Sequence, residues 1–397
     1  MKKFNLISGI PVCICVFLIS CSTKIKTELP VIDVIGALKN EKSLKLSEIV
    51  DHIEYVKLET TPECLIGGGQ AVLAGNTIYI KNFRPTSLLV FDGQGKFLRQ
   101  ISRQGKGPGE YINFAYFDVS PDNRYIAIGG FGGGIRLYTI TGEFTTQSDY
   151  NSLSWSGFLF LNPNKLITYE SRQNGHQKGY PIMMAWNTEH LQSDTLLCID
   201  MEPQESDRSV LMVFNPFYPF KGRINFMEAA NDTLYQLDTD LKISPRMVVD
   251  CGERALTEET LFMAPGKSII RVYPVCETNN YLFINSYSGE DYRVFVFNKR
   301  SGETFRMPVR QSLFDEKVKT YGPENDLEGI DFTFNGLRVN DKTWTSILQI
   351  VDLKAFFESV KPDLLKLKTR KYLDQLRKLT DASDLNDNPI VRIVHLK

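Results

Sequence analysis

One short phrase recurs along the chain: an apolar strand that runs into an aromatic, followed by a turn. It reads Leu88-Leu89-Val90-Phe91-Asp92, Ile135-Arg136-Leu137-Tyr138-Thr139 and Met183-Met184-Ala185-Trp186-Asn187. It returns as Leu234-Tyr235-Gln236-Leu237-Asp238 and Val294-Phe295-Val296-Phe297-Asn298. Aligned on the last residue of each copy, the steps are 47, 48, 51 and 60 residues. A strand-built repeat of roughly 40–50 residues marks a β-propeller, in which each copy is one blade. The architecture is thereby constrained, while the chemistry is left open.

The first repeat shows the blade pattern most clearly. Ala71–Ala74 and Thr77–Phe83 read as strands around Gly75-Asn76, and Ser87–Phe91 and Lys96–Ile101 as strands around Asp92-Gly93-Gln94-Gly95. Four strands in this order form an antiparallel meander. The second blade repeats it over 114–146, with turns at Ser120-Pro121-Asp122-Asn123 and Thr141-Gly142. The third runs over about 157–200, the fourth over 214–249 and the fifth over 269–307. For the sixth, Asp331–Val339 and Thr343–Ile350 read as inner strands, interrupted by a helical stretch over 363–379. Ile53–Glu59 alternates apolar and charged residues and precedes the first repeat, so it is a strand in need of a partner. Ile390–Leu396 is another. Joining these two in one sheet removes both edges and closes a ring. The expected fold is all-β: a six-bladed β-propeller of four-stranded antiparallel blades, closed by its N- and C-terminal strands, with a helical insertion in the last blade.

The N-terminus reads differently. Lys2 and Lys3 precede an apolar stretch from Phe4 to Ile19, short for a membrane span. It ends Leu18-Ile19-Ser20-Cys21, which resembles a bacterial lipoprotein signal. The resemblance implies lipid transfer to the Cys21 thiol, cleavage after Ser20 and acylation, palmitate included, of the new terminus. Two or more acyl chains hold a protein stably on a membrane. The expected division is residues 1–20 as signal peptide, 21–42 as lipid-anchored tether and 43–397 as propeller. With 46 basic against 47 acidic residues, net charge −1, no global field draws the chain to nucleic acid. Cys64, Cys198, Cys251 and Cys276 match no zinc spacing and contain no C-x-x-C. Outside the cytoplasm they could pair; scattered over different repeats, they read as buried free thiols.

Several pieces together resemble a known family. They are Lys45-Leu46-Ser47-Glu48-Ile49-Val50 with Tyr55-Val56-Lys57-Leu58-Glu59-Thr60-Thr61, Gly105-Lys106-Gly107-Pro108-Gly109-Glu110-Tyr111, Asn231-Asp232-Thr233-Leu234-Tyr235, and Asn388-Pro389. The combination resembles the Bacteroidetes six-bladed β-propeller lipoproteins, similar to NHL-repeat propellers, over about residues 43–397. The resemblance implies six blades and an exported, lipid-anchored chain. It carries no settled activity and therefore no catalytic residue. Surface-displayed lipoproteins of this group tend to carry acidic residues just after the Cys. Ser22-Thr23-Lys24-Ile25-Lys26 has none, which points to an outer-membrane protein facing the periplasm.

Candidate chemistry is sparse. The 105–111 segment offers a glycine-rich backbone and Lys106 for an anion, but it also suits a crossover between blades, where Gly and Pro shape a tight path. Such crossovers share one face of the ring with the loops between each blade's second and third strands. Arg84, Lys106, Glu110, Tyr111, Arg172, His176, Glu290 and Asp291 are the candidate ligand-face residues there. Gly129-Gly130-Phe131-Gly132-Gly133-Gly134 reads as a hairpin, since no helix follows to receive a pyrophosphate. Glu324, Asp326, Glu328 and Asp331 could offer oxygens to calcium, although their spacing is not an EF-hand loop and a solvated loop explains them. His52, His176, His190 and His395 form no H-x-H or H-E-x-x-H pair, and His395, in a strand, reads as structural. Phe214, Phe217, Tyr218 and Phe220 suit either an aromatic binding patch or the fourth blade's core. The basic residues of the helical stretch, Lys366 to Lys378, read as a solvated face. The expected function is a ligand- or protein-binding module at the cell envelope, with an envelope protein, peptide or glycan as partner, no nucleic acid, and no cofactor or metal. The alternative is a metal-dependent lactonase- or lyase-like propeller enzyme working at the central channel.

Overall fold

The computed structural model describes residues 28–107, 109–111, 114–130, 134–148, 155–170, 180–199, 216–257, 259–260, 269–289, 291–312, 319–334, 341–359 and 366–397. Hydrophobic alternation and turn residues place five four-stranded meanders along the chain, each hydrogen-bonded in sequence order. Blade one comprises Gly69–Ala74, Thr77–Phe83, Thr86–Asp92 and Phe97–Ile101. Blade two comprises Tyr116–Val119, Tyr125–Gly129, Arg136–Thr139 and Phe144–Gln147. Trp155–Asn162, Lys165–Glu170, Tyr180–Asn187 and Ser193–Ile199 form blade three. Phe217–Phe220, Arg223–Met227, Thr233–Leu237 and Ile243–Asp250 form blade four. Arg271–Glu277, Tyr281–Ser288, Asp291–Asn298 and Glu303–Arg306 form blade five.

The sixth blade joins the two ends of the chain. Its order is Val50–Lys57, then Ile390–Leu396, then Thr343–Leu348, all antiparallel. The register pairs Ile53 with Val394 and Tyr55 with Arg392 on one side, and Thr345 with Ile393 on the other. The expected pairing of the two terminal strands is therefore present, and the ring is a six-bladed propeller. Gly95 lies where the end of the N-terminal strand meets blade one. Its φ is +85°, and a Cβ there would stand 2.1 Å from the Lys57 carbonyl oxygen, so only glycine fits.

The core lies between blades. Val72, Tyr79 and Val90 of blade one pack with Phe117, Ile126 and Tyr138 of blade two. Ile78, Ile80 and Phe91 on the opposite face of blade one pack with Val391 and Ile393 of blade six. Period-two alternation supplies both faces of each blade with apolar side chains, and each face is covered by its neighbour.

Three local expectations are revised. Residues 31–37 are a strand, Val31–Asp33, running parallel to Ile243–Asp250, and a short helix, Val34–Ala37, rather than tether. Ile32 and Val34 are fully buried, because this apolar run seals the outer edge of blade four. The helical insertion is two helices, Ile350–Ser359 and Lys371–Asp381, so the strand expected through Ile350 stops at Leu348. Residues 331–334 are not a strand: Phe332 and Phe334 are buried by edge-on packing of Phe334 against Phe332 and Trp344, so their alternation reflects packing rather than pairing. The remainder of that expected strand lies outside the described residues, as do Phe214, Phe131, Gly132 and Gly133.

Candidate functional site

Of the candidate residues, Cys21, Arg172, His176 and Glu290 lie outside the described residues. The others are spread over three parts of the ring. Arg84 is exposed in the turn after the second strand of blade one, and Asp291 is exposed in blade five, where it pairs with Arg293 at 2.5 Å. Lys106, Glu110 and Tyr111 belong to the crossover from blade one to blade two.

That crossover is occupied by its own carboxylate. Glu110 accepts from the Gly107 amide at 2.8 Å and from Arg103 Nε at 2.5 Å. The Gly107 amide, then Arg103, hold the Glu110 carboxyl below its ordinary value. The backbone donors that an external anion would use are thus turned toward an internal one. Tyr111 is fully buried, donates to the Thr86 carbonyl at 3.4 Å, and has its phenol pushed up by burial. The segment is a crossover, and Tyr111 anchors it.

The acidic group around 324–331 also resolves into separate contacts. Asp326 accepts from the Ser47 amide at 2.9 Å and its hydroxyl at 2.7 Å. Glu324 accepts from Ser43 Oγ at 3.2 Å. Glu328, fully buried, pairs with Arg392, whose Nη2 donates to the Asp331 carbonyl at 3.0 Å. These carboxylates bind two different parts of the structure, the segment leading into Val50–Lys57 and the last strand, rather than one centre. Phe217, Tyr218 and Phe220 are buried in the blade four region.

The cavity that best fits a ligand lies between blades four and five, with a volume of about 400 Å³. One wall is the loop joining the second and third strands of blade four, residues 228–232. The other is the crossover into blade five and the start of its first strand. It therefore opens on the ring face where crossovers and these loops meet. Ala229, Ala230, Leu256 and Tyr273 form a small, half-buried apolar cluster there, and Asn231, Asp232 and Arg271 add polar groups. The loop is built by local bonds: Asn231 Oδ1 accepts from the Thr233 amide at 2.9 Å, and Asp232 supplies its carbonyl to the Val249 amide at 2.6 Å. Beneath it, buried Glu228 accepts from Tyr169 Oη at 3.2 Å. Cys251, also in the wall, is pushed up to about 12 by burial and then by Asp250. Its thiol is protonated at neutral pH and is no nucleophile. A pocket of this size and mixed character binds small ligands or single side chains and sugar units.

None of the pocket residues was among the sequence candidates. The one signal was Asn231-Asp232-Thr233, part of the family resemblance, which shapes the loop. The structure also brings together two histidines that look unrelated in sequence: His52 and His395 face each other across the sixth blade. The four cysteines, Cys64, Cys198, Cys251 and Cys276, are free thiols, and all but Cys198 are buried.

Residues 29–395 match the model of the domain of unknown function DUF4934. The chain belongs to this family. No curated protein matches it. Among solved structures, this DUF4934 chain is similar to a Bacteroides fragilis protein described as exported, at 18% identity and a TM-score of 0.65, over 93% of this chain and 99% of that one. It is also similar to a member of the DUF4221 family from Bacteroides vulgatus, at 10% identity and a TM-score of 0.49, over 88% and 97%. At these identities the likeness concerns the fold. Among the described residues, no helix is long and apolar enough to cross a membrane.

Proposed function

We propose that this DUF4934 protein is a lipid-anchored module of the cell envelope whose propeller binds a peptide or glycan. The observation that carries the reading is the cavity between blades four and five. It sits on the loop-rich face and combines an apolar floor with Asn231, Asp232 and Arg271. Both charge signs are present, which suits a zwitterionic or polyhydroxylated group better than a simple anion. The Leu18-Ile19-Ser20-Cys21 sequence supports lipidation at Cys21, and the lack of acidic residues in Ser22–Lys26 supports an outer-membrane location facing the periplasm. The exported description of the Bacteroides fragilis neighbour agrees with that location.

Two experiments test it. Full-length protein is screened on peptide and glycan arrays beside an Ala229→Trp variant that fills the cavity. Binding that the variant loses supports the pocket; binding unchanged in the variant moves the site elsewhere, and no binding above background ends the reading. Metabolic labelling with a fatty-acid analogue should mark the wild type and not Cys21→Ala. Labelling retained in the variant overturns the anchor.

A further inference from the structure

One end of the sixth blade gathers two imidazoles and a carboxylate. His52 and Glu54 are two residues apart on Val50–Lys57, so they share a sheet face. The antiparallel register sets His395 of the C-terminal strand directly opposite His52. The two rings stack with centroids 4.0 Å apart and planes at 8°. Glu54 Oε1 lies 3.3 Å from His52 Nε2 and 3.6 Å from His395 Nε2. The three ligand atoms lie within 4.8 Å of one another.

These separations have a physical meaning. A tetrahedral ion with bonds of about 2.0–2.1 Å holds its ligand atoms about 3.3–3.4 Å apart. The Glu54–His52 separation matches one such edge, and the Glu54–His395 separation is slightly longer. Asp51 Oδ2 is 2.8 Å from His52 Nδ1, the partner that would hold a proton on Nδ1 and free Nε2 for an ion. His395 Nε2 is buried with no hydrogen-bond partner. The rings are parallel, so their lone pairs lie in separate planes, and a turn of the His52 ring, on the solvent side, brings both Nε2 atoms and the Glu54 oxygen onto one ion.

We infer that His52, Glu54 and His395 form a site for one divalent transition-metal ion of the zinc class, with its fourth position open to solvent. Two imidazoles and one carboxylate match the preferences of zinc, copper and nickel, not those of calcium or magnesium. The His52 side chain is 41% exposed, so an ion can enter from solvent. Because the donors come from the first and last strands of the propeller, a bound ion cross-links the two chain ends that close the ring. Binding to the folded state then raises its stability.

The test uses the full-length protein in detergent, carrying no polyhistidine tag and stripped with a chelator. It is titrated with zinc chloride and, separately, cobalt chloride. The expected result is one equivalent of zinc retained after dialysis, a higher melting temperature with zinc, and a visible cobalt absorption band of tetrahedral intensity. His52→Gln, Glu54→Gln and His395→Gln should each weaken zinc binding at least tenfold, while His190→Gln, at an exposed histidine elsewhere, should not. His52→Gln and Glu54→Gln alter exposed side chains, so folding of these variants is expected and is checked by melting without metal. Zinc retained equally by His52→Gln and the wild type overturns the site. So does a wild type that retains no zinc.

Discussion

The side-chain amide of Asn388 donates at 2.8 Å to the carbonyl of Cys64, 324 positions earlier in the chain. The same amide donates to the Glu59 carbonyl at 2.6 Å, its oxygen accepts from the Ile66 amide at 2.9 Å, and its backbone N–H donates to Thr60 Oγ1 at 2.8 Å. One asparagine thus fastens the entry of the last strand to the segment that leads into blade one. Asn388→Ala takes the side-chain donor from the Cys64 carbonyl and the acceptor from the Ile66 amide, and should cost about 2–4 kcal/mol. Asn388→Asp should cost at least as much, since it sets a carboxylate against the Cys64 and Glu59 carbonyls. Urea denaturation of both variants measures this, and a loss under about 0.5 kcal/mol would show that the contacts are incidental.

Ile390–Leu396 lies between Val50–Lys57 and Thr343–Leu348. Deleting residues 388–397 leaves both neighbours with an open edge, so the truncated chain should aggregate. Light scattering and a melting curve check this; unchanged solubility and melting would mean that the ring closes without its last strand.

Glu277 is fully buried and receives Arg246 Nη1 and Nη2 at 2.9 Å each, Lys299 Nζ at 2.8 Å and Tyr218 Oη at 2.9 Å. Glu277→Ala strands two cations between blades four and five and should cost about 3–5 kcal/mol. Burial alone would raise the Glu277 carboxyl, but Arg246 and then Lys299 outweigh it and hold it below 4.5. A carboxyl depressed on folding gives stability that is present above its ordinary pKa and lost as the pH falls through the lowered value. Denaturation midpoints measured from neutral to strongly acidic pH should show this loss in the wild type and a smaller one in Glu277→Gln. Identical acid profiles would refute the role of the carboxylate.

Lys81 carries a charge that folding disfavours. Burial lowers its pKa from 10.5 to about 8, with the ammonium against the Ala115 carbonyl and 5.5 Å from the Phe114 ring centroid. The unfolded chain binds the extra proton between these values, so stability rises with pH from about 8 to 10.5 and is reduced below that window. Lys81→Met removes the buried charge. It should stabilise the protein at neutral pH by on the order of 1–3 kcal/mol, with the gain shrinking as the pH approaches 10.5. A gain that does not depend on pH would point to packing rather than charge.

Much of the blade pattern is legible because it is local. In blade one, a two-residue turn between Ala74 and Thr77 and alternation along both flanking strands determine pairing and facing together. Closure by Ile53–Glu59 and Ile390–Leu396 is legible for a related reason: each strand lacks a neighbour in sequence. The segment 31–37 misleads because its role is to cover another blade's edge, and a short run of four apolar residues broken by Asp33 carries no mark of that partner. The 105–111 glycines mislead in the opposite sense, since nothing in their order says that Glu110 folds back onto them.

The sequence by itself determined the repeat, the class of fold and the closing strands. These rest on periodicity and nearest-neighbour chemistry, which a linear string records. Only the tertiary structure decided which side chains converge. His52 and His395 meet because antiparallel register aligns the two ends of the chain, and the cavity at Asn231 and Tyr273 exists because one loop and one crossover face each other across two blades. Through-space proximity of this kind is set by ring closure, a property of the whole chain that no local spacing encodes.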